Sequence, residues 1–357
     1  MQVINVRNVS EALPVGVEFL RVYGAKRESR NGPVLVAPCP VTTVYERPWE
    51  RVLLYGERDA NPFFHVFEAA WMLAGRDDVK SVAKYVSRMK TYSDDGKTLH
   101  GAYGARWRNW FPNEFGDGNP IDQLAWAVRR LRANPDDRRV VIQMWDAGTD
   151  IATADTNGKD VPCNTQMYVW IDVEGRLSLT ITCRSNDMVW GAYGANAVHF
   201  SYVQQFLAEA IGVPMGKLYQ ISNNYHGYLN TLEPLFGMPL DQPYASSEWT
   251  SAAENQFRLC DAGEDGVRIF TEDLALFLDE KVTLGIRSPW IRKVLQPIVM
   301  AHRAYKERDD NERFEKAHEI VKQMQRHSPD WYAACVTWLA RREEQARRAK
   351  DDGVSHA

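Results

Sequence analysis

The sequence predicts an α+β fold carrying a helical C-terminal appendage. Three observations support that reading. Strand-like segments crowd the middle of the chain, helix-like segments flank them, and from about residue 249 the pattern turns almost wholly helical. The core would span residues 1–248 and the appendage 249–357. A chain of 357 residues is long enough for one large domain with such an addition.

The elements follow in order. Residues 1–55 mix short apolar runs with Gly and Pro, and 34–45 read as strand broken by turns. Residues 62–75 read as a helix, because Pro62 suits a first turn and Gly75 a C-cap. Residues 120–134 place Leu124, Ala127, Val128 and Leu131 on one helical face. β-Branched and aromatic residues then fill 138–145, 166–173 and 176–183, which predicts strands, with a hairpin turn at Glu174-Gly175. A helix over 199–212 ends at Gly212. Ser288-Pro289 form an N-cap and first-turn pair, opening a helix that runs to about 308. Residues 310–326 and 329–349 pair charged faces with apolar stripes, and the last segment turns polar all round.

Composition narrows the function. The net charge of −4 does not favour nucleic acid as a partner, so an anionic ligand would need a local arginine cluster. No apolar run approaches the ~20 residues of a membrane helix, and the N-terminus lacks a signal-peptide pattern. The expected setting is cytoplasmic, the host's cytoplasm if a phage encodes the chain. Five scattered cysteines, Cys39, Cys163, Cys183, Cys260 and Cys335, form no C-x-x-C pair. That argues against a disulfide framework or a metal site and for reduced thiols, one of which could be a nucleophile.

Four segments concentrate chemistry. Val161-Pro162-Cys163-Asn164 follows a Gly/Asp/Thr-rich loop (147–160) and precedes a strand, a junction able to present a thiol to a cleft; the alternative is a core cysteine. Cys183-Arg184-Ser185-Asn186-Asp187 ends a predicted strand. The planar donor fork of arginine beside serine and carboxylate suits a phosphate or another polar ligand, or else a solvated turn. In Asp136-Asp137-Arg138-Arg139, adjacent arginines opening a strand point to opposite faces. Both reach one ligand only at the strand's end or across an interface; otherwise they form an exposed turn. The segment 223–230 is dense in uncharged hydrogen-bonding groups suited to sugar hydroxyls and base edges.

Taken in order, these segments resemble the thymidylate synthase family. Its pattern has an arginine pair, then Pro-Cys, Arg-Ser-x-Asp, Gly…Asn and Asp-x-His-x-Tyr. Upstream, Glu68-Ala69-Ala70-Trp71 resembles the family's Glu-Leu-Leu-Trp helix. Leu99–Arg108 resembles its Leu-Gly-Pro-Val-Tyr-Gly-x-x-Trp-Arg stretch, and Arg30-Asn31-Gly32 stands where a phosphate-binding loop belongs. The motifs in register cover roughly residues 20–235.

The resemblance implies a mixed or antiparallel sheet packed with helices, and roles residue by residue. Cys163 would attack C6 of a pyrimidine, making C5 nucleophilic. Arg30, Arg184, Ser185 and the pair Arg138 and Arg139 would hold the 5′-phosphate of a pyrimidine nucleoside monophosphate. The pair would be donated across a homodimer interface. His226 and Tyr228 would bond the ribose 3′-hydroxyl, and Asn196 would read the base. Glu68 and Tyr103 would move protons through ordered water. Asp187 would bond the pterin of the one-carbon donor, 5,10-methylenetetrahydrofolate, on a cofactor-facing side shared with Glu68 and Gly191.

The chain also departs from the family. Residues 87–95 lack the tryptophans that the synthases carry there, and the short apolar tail that closes their site is replaced by the appendage. Asn164 stands for the usual His after the nucleophile, the segment Gly191–Asn196 is one residue longer, and Asn224 stands for Asp. These losses fall on the reductive half-reaction and on lid closure. They fit the nucleotide hydroxymethylases of the family, in which water adds to the methylene intermediate and tetrahydrofolate is released. Reductive methylation of dUMP is the alternative. The Asn196 amide can accept from N3–H and donate to O4, which favours dUMP, whereas an amide turned over would take dCMP. Two readings from other classes stand beside these. A thiol hydrolase using Cys163 and His226 leaves four arginines unused, and an idle nucleotide- or RNA-binding relative needs neither Cys163 nor Glu68.

Overall fold

A computed structural model describes residues 1–114, 116–239, 258–280, 285–307 and 312–354. The α+β expectation holds. Its centre is a mixed sheet built from β1 (Gln2–Val6), β2 (Ala25–Arg27), β3 (Val34–Val36), β4 (Val41–Tyr45), β5 (Val141–Gln143), β6 (Asn164–Ile171), β7 (Leu177–Asp187) and β8 (Met215–Tyr228). The main path runs β1-β4-β8-β7-β6-β5, with β3 bridging β2 and β8. Only β1/β4 and β7/β8 pair in parallel within this sheet; the other pairs are antiparallel.

The helices are α1 (Val9–Tyr23), α2 (Pro62–Leu73), α3 (Val79–Ala83), α4 (Met89–Tyr92), α5 (Tyr103–Arg108), α6 (Gln123–Ala133), α7 (Ala147–Asp155), α8 (Ala197–Ile211) and α9 (Leu229–Leu232). The C-terminal part adds α10 (Glu264–Leu278), α11 (Gln296–Glu307), α12 (Glu312–Val321) and α13 (Pro329–Val354). Starts are set by side-chain caps. Asn8, Asn61 and Asp122 each accept the backbone N–H of the residue three positions on, which satisfies a donor that the helix itself leaves open. The predicted face of α6, Leu124, Ala127, Val128 and Leu131, is fully buried.

Several elements differ from the sequence expectation. Residues 9–23 form a 15-residue helix, although Pro14 and Gly16 lie inside it, because its apolar face packs on the sheet. The expected loop 147–160 is helical for its first nine residues, with Asp146 as N-cap. β5 is shorter than expected: Arg138 and Arg139 precede it in a turn where the Asp137 carboxylate accepts the Arg139 N–H. They therefore do not open a strand, and the opposite-faces reasoning does not apply to them. β7 runs on through Asp187 because its parallel partner β8 continues beside it.

Helix α8 is buried all round, lying between the sheet and the C-terminal helices. Tyr202 stacks with Trp331 at 6.4 Å between ring centroids, and Phe206 meets Phe270 at 5.7 Å. Helix α2 is gripped in the same way. Phe63 meets Trp338 at 5.5 Å and His302 at 5.6 Å, and Arg341 and Arg342 both bond Asp59 just before the helix. Each fully buried large apolar side chain contributes on the order of 2 kcal/mol. The expected boundary at 248/249 and the last three residues lie outside the described residues. The C-terminal helices share one continuous apolar core with the rest.

Candidate active site

The parallel pairing of β7 and β8 brings two distant motifs side by side. Ser185 registers with Asn224 and Asp187 with His226. Side chains alternate along a strand, so this register fixes which residues of both motifs share a face. β6 starts at Asn164 on the other side of β7, so Cys163 sits at the mouth of the same sheet.

Arg184 clasps the Cys163 loop. Its Nε donates to the Pro162 carbonyl at 2.8 Å, one Nη donates to the Val161 carbonyl at 2.8 Å, and the same Nη lies 3.9 Å from the Cys163 sulfur. Cys163 is half-buried. Burial pushes its thiol pKa up, Arg184 and Arg30 pull it down, and Asp160 opposes them. Arg30 therefore acts on the sulfur through space, across an exposed loop. The neighbouring Asn31 amide donates to the Tyr228 hydroxyl at 3.3 Å, which ties that loop to the end of β8. His226 contacts the Asn224 side-chain oxygen through Nδ1 at 2.9 Å and packs edge-on against Tyr228. The Asn that stands for the family's Asp thus still offers an oxygen to that imidazole.

Tyr103 lies behind the nucleophile, where its hydroxyl accepts the Asn164 backbone N–H at 3.2 Å. Burial, then the neighbouring thiols Cys163 and Cys183, hold it as a phenol. Asn164 begins a chain of buried amides. Its Nδ2 donates to Asn196 Oδ1 at 3.2 Å, Asn196 Nδ2 donates to Asn186 Oδ1 at 3.1 Å, and Asn186 Nδ2 donates to Ser222 Oγ at 2.9 Å. Gly191 makes room for this chain: a Cβ there would stand 2.6 Å from Asn186 Oδ1. The segment Met188–Asn196 is wound in wide π-type turns, which accommodate the additional residue seen in the sequence. Asp187 caps that segment by accepting the Val189 N–H at 3.0 Å, and burial raises its carboxyl pKa. Trp190, exposed, is backed by the buried guanidinium of Arg58 at 4.2 Å.

Glu68 lies on α2, its Oε2 3.2 Å from Nε2 of His199 on α8. Burial raises the Glu68 carboxyl to about 8. Arg138 and Arg139 are not drawn into this cluster within the chain. Arg139 is three-quarters exposed and bonds Asp137, and the charges acting on Cys163 are those of Arg184, Asp160 and Arg30. The sequence reading gave no role to Asn186, Ser222, Arg58 or His199. Of these, His199 alone left a usable signal, standing one helical turn after Asn196. Among the described residues no group of three or more metal-ligating side chains gathers, and no helix is long and apolar enough to cross a membrane.

Comparison with known proteins agrees with this arrangement. The profile of the thymidylate synthase family matches residues 25–256. The chain is 43% identical, over the full length of both proteins, to a deoxyuridylate hydroxymethyltransferase of Pseudomonas phage M6. A protein of the same name from Bacillus phage SP01 is 37% identical over 54% of this chain and 50% of the relative. Another, from Delftia phage PhiW-14, is 30% identical over 60% of this chain and 58% of the relative. The profile match takes in the Cys163 loop, both paired strands and the buried amide chain, and the chain belongs to the thymidylate synthase family.

Proposed function

We infer that the chain is a transferase that adds a one-carbon unit to C5 of dUMP and releases 5-hydroxymethyl-dUMP. The observation carrying this is the 43% identity, end to end, with a deoxyuridylate hydroxymethyltransferase. Members of the family act on pyrimidine nucleotides and generally take their one-carbon unit from methylenetetrahydrofolate. The residues around Cys163 fit such a co-substrate: Asp187 offers an acidic acceptor, and Trp190 presents an exposed aromatic surface three residues on.

In this proposal Cys163 adds to C6 as the thiolate; burial keeps the thiol pKa raised, and Arg184 and Arg30 counter that in part, favouring the small thiolate fraction that reacts. The C5=C6 electron pair moves towards O4, and C5 becomes the carbon nucleophile that takes the one-carbon unit. Tyr103, held as a phenol, donates into the site. Loss of the C5 proton, with the C–H pair forming C5=CH2 and the C–N bond to the one-carbon carrier breaking so that tetrahydrofolate leaves, gives a methylene on C5 and opens the path to water. Arg30, Arg184 and Ser185 hold the phosphate, while His226 and Tyr228 face the sugar. Arg138 and Arg139, exposed and not among the charges acting on their own Cys163, serve the site of a second copy in a homodimer. The cytoplasm remains the proposed setting, in keeping with five free thiols.

The amide chain supports uracil. Asn196 Oδ1 accepts from Asn164 and its Nδ2 donates to Asn186, leaving one lone pair and one N–H. These complement N3–H and O4. Turning the amide over for cytosine breaks both bonds unless the whole chain reverses, with Ser222 donating instead of accepting. Incubation of the protein with dUMP and methylenetetrahydrofolate should yield 5-hydroxymethyl-dUMP by mass spectrometry, without the near-ultraviolet signal of dihydrofolate. Stoichiometric dihydrofolate with a 5-methyl product would overturn the proposal in favour of thymidylate synthesis.

A further inference from the structure

Glu68 and His199 form a sealed contact. Glu68 Oε2 and His199 Nε2 lie 3.2 Å apart, both atoms are shut off from solvent, and neither has a hydrogen-bond partner among the described residues. His199 is 3% exposed, whereas the Glu68 side chain keeps 13% exposure. Since Oε2 is fully buried, that exposure belongs to other atoms of the side chain. Two lone pairs at this distance repel, and a proton placed between these two unpartnered atoms would relieve both. Burial favours the neutral carboxyl and, with His199 lowered to about 3, the neutral imidazole, the pair of states in which a carboxyl O–H can donate to nitrogen. The His65 ring packs edge-on against the His199 ring, with centroids 6.3 Å apart.

Placement adds to the geometry. Asn196 and His199 are one helical turn apart where α8 begins, on neighbouring positions of one face. The adjacent Phe200 packs on Tyr103, whose hydroxyl reaches the Asn164 backbone beside the nucleophile. The Glu68–His199 contact therefore lies directly behind the base-reading asparagine.

We propose that His199 is a positioning residue for Glu68, accepting the carboxyl proton at Oε2 so that Oε1 faces the pyrimidine and receives the water that becomes the product hydroxyl. This rests on the hydroxymethylating reading above. The step balances without a redox change. The water oxygen bonds to the exocyclic methylene carbon, and the C5=CH2 pair moves to O4. That pair then returns to form C5=C6 and expels Cys163 as thiolate. The proton lost by water enters at Oε1 as the Oε2 proton shifts to Nε2, and the departing sulfur finally takes one proton from the pair.

The test separates the methylene-forming steps from hydration. With [5-3H]dUMP, tritium release reports loss of the C5 proton, and 5-hydroxymethyl-dUMP reports the addition of water. In the presence of 2-mercaptoethanol, a stalled methylene intermediate appears as a thioether. For His199→Leu, hydroxymethyl product should fall about tenfold or more while tritium release falls less than threefold, the difference appearing as thioether. His199→Gln, whose amide oxygen can accept at the place of Nε2, should recover a large part of the loss. If the Leu variant does not fold, His199→Asn, too short to reach Oε2, takes its place. Equal falls in both readouts, or no change in either, would overturn the proposal. A wild-type protein that yields 5-methyl product would instead bring down the functional reading itself.

Discussion

The base side and the phosphate side of the proposed site are built in opposite ways. On the base side, Asn164, Asn186, Asn196 and Ser222 are buried, and every amide is bonded to the next. On the phosphate side, Arg30, Arg138, Arg139 and Arg184 are exposed. Of these only Arg184 is braced against the nucleophile loop, while Arg139 is held by Asp137. A buried set of amides held by one another distinguishes one base from another, because a mismatch leaves a polar group unpaired at about 1–3 kcal/mol. Exposed arginines lose side-chain freedom when they bind, and they recognise any phosphate. In the proposed site, discrimination would then belong to the buried side and general affinity for nucleotides to the exposed one.

Perturbing each side tests that division. The largest effect is expected at the junction. Cys163→Ser should lower turnover by about a thousandfold or more while dUMP affinity, measured by calorimetry, stays within a few-fold. A serine variant with substantial activity would remove the central claim. Next comes the phosphate side. Arg139→Ala should weaken dUMP and dCMP alike, by about 1.5–3 kcal/mol for a lost charged contact, without altering their ratio. Mixed with Cys163→Ser subunits, it should regain roughly a quarter of wild-type activity, since half the dimers would be hybrids with one intact site. No regain despite proven subunit exchange would refute donation across the interface.

On the base side the ratio itself should move. Asn196→Asp should shift preference from dUMP towards dCMP by about 10- to 100-fold in kcat/KM. Asn164→Asp never touches the base in this proposal, yet its carboxylate can only accept, so it should turn the Asn196 amide over. A shift in the same direction of roughly fivefold is expected. If Asn164→Asp lowers both substrates equally, the amide chain does not set base choice.

The smallest effect, a few degrees in melting temperature, comes from the acid buried beside this chain. The Glu68 carboxyl titrates near 4.5 when unfolded and at about 8 in the fold. Between those values the unfolded chain releases its proton first, so wild-type stability falls as pH rises across that window. Glu68→Gln does not titrate. It should melt progressively higher than wild type from pH 5 to pH 8, with the gap levelling off above that. A gap independent of pH would mean that Glu68 is ionised throughout.

The sequence made the phosphate side far more legible than the base side. Arg30, Arg184 and Cys163 stand in short contiguous motifs that the family resemblance picks out in register. Asn186, Ser222 and His199 are ordinary polar residues whose meaning comes from strand register and helix packing, which bring positions 164, 186, 196 and 222 together. The 15-residue helix α1 escaped because Pro14 and Gly16 mask its periodicity. The C-terminal helices were visible as helices, but their docking on α2 and α8 was not, since the partner faces, Phe63 and Tyr202 among them, lie far away in the chain.

That docking has a consequence for how the molecule opens. The helix carrying Glu68 has Trp338 and His302 packed against its Phe63, so α2 cannot come loose while α11 and α13 remain in place. Local opening is governed by the packed unit to which an element belongs. In native-state hydrogen exchange, the amides of α2 should therefore become labile together with those of α13. A chain cut just before Ser328 should keep every residue assigned here to nucleotide and nucleophile, yet expose Phe63 to water and let the helix of Glu68 fray.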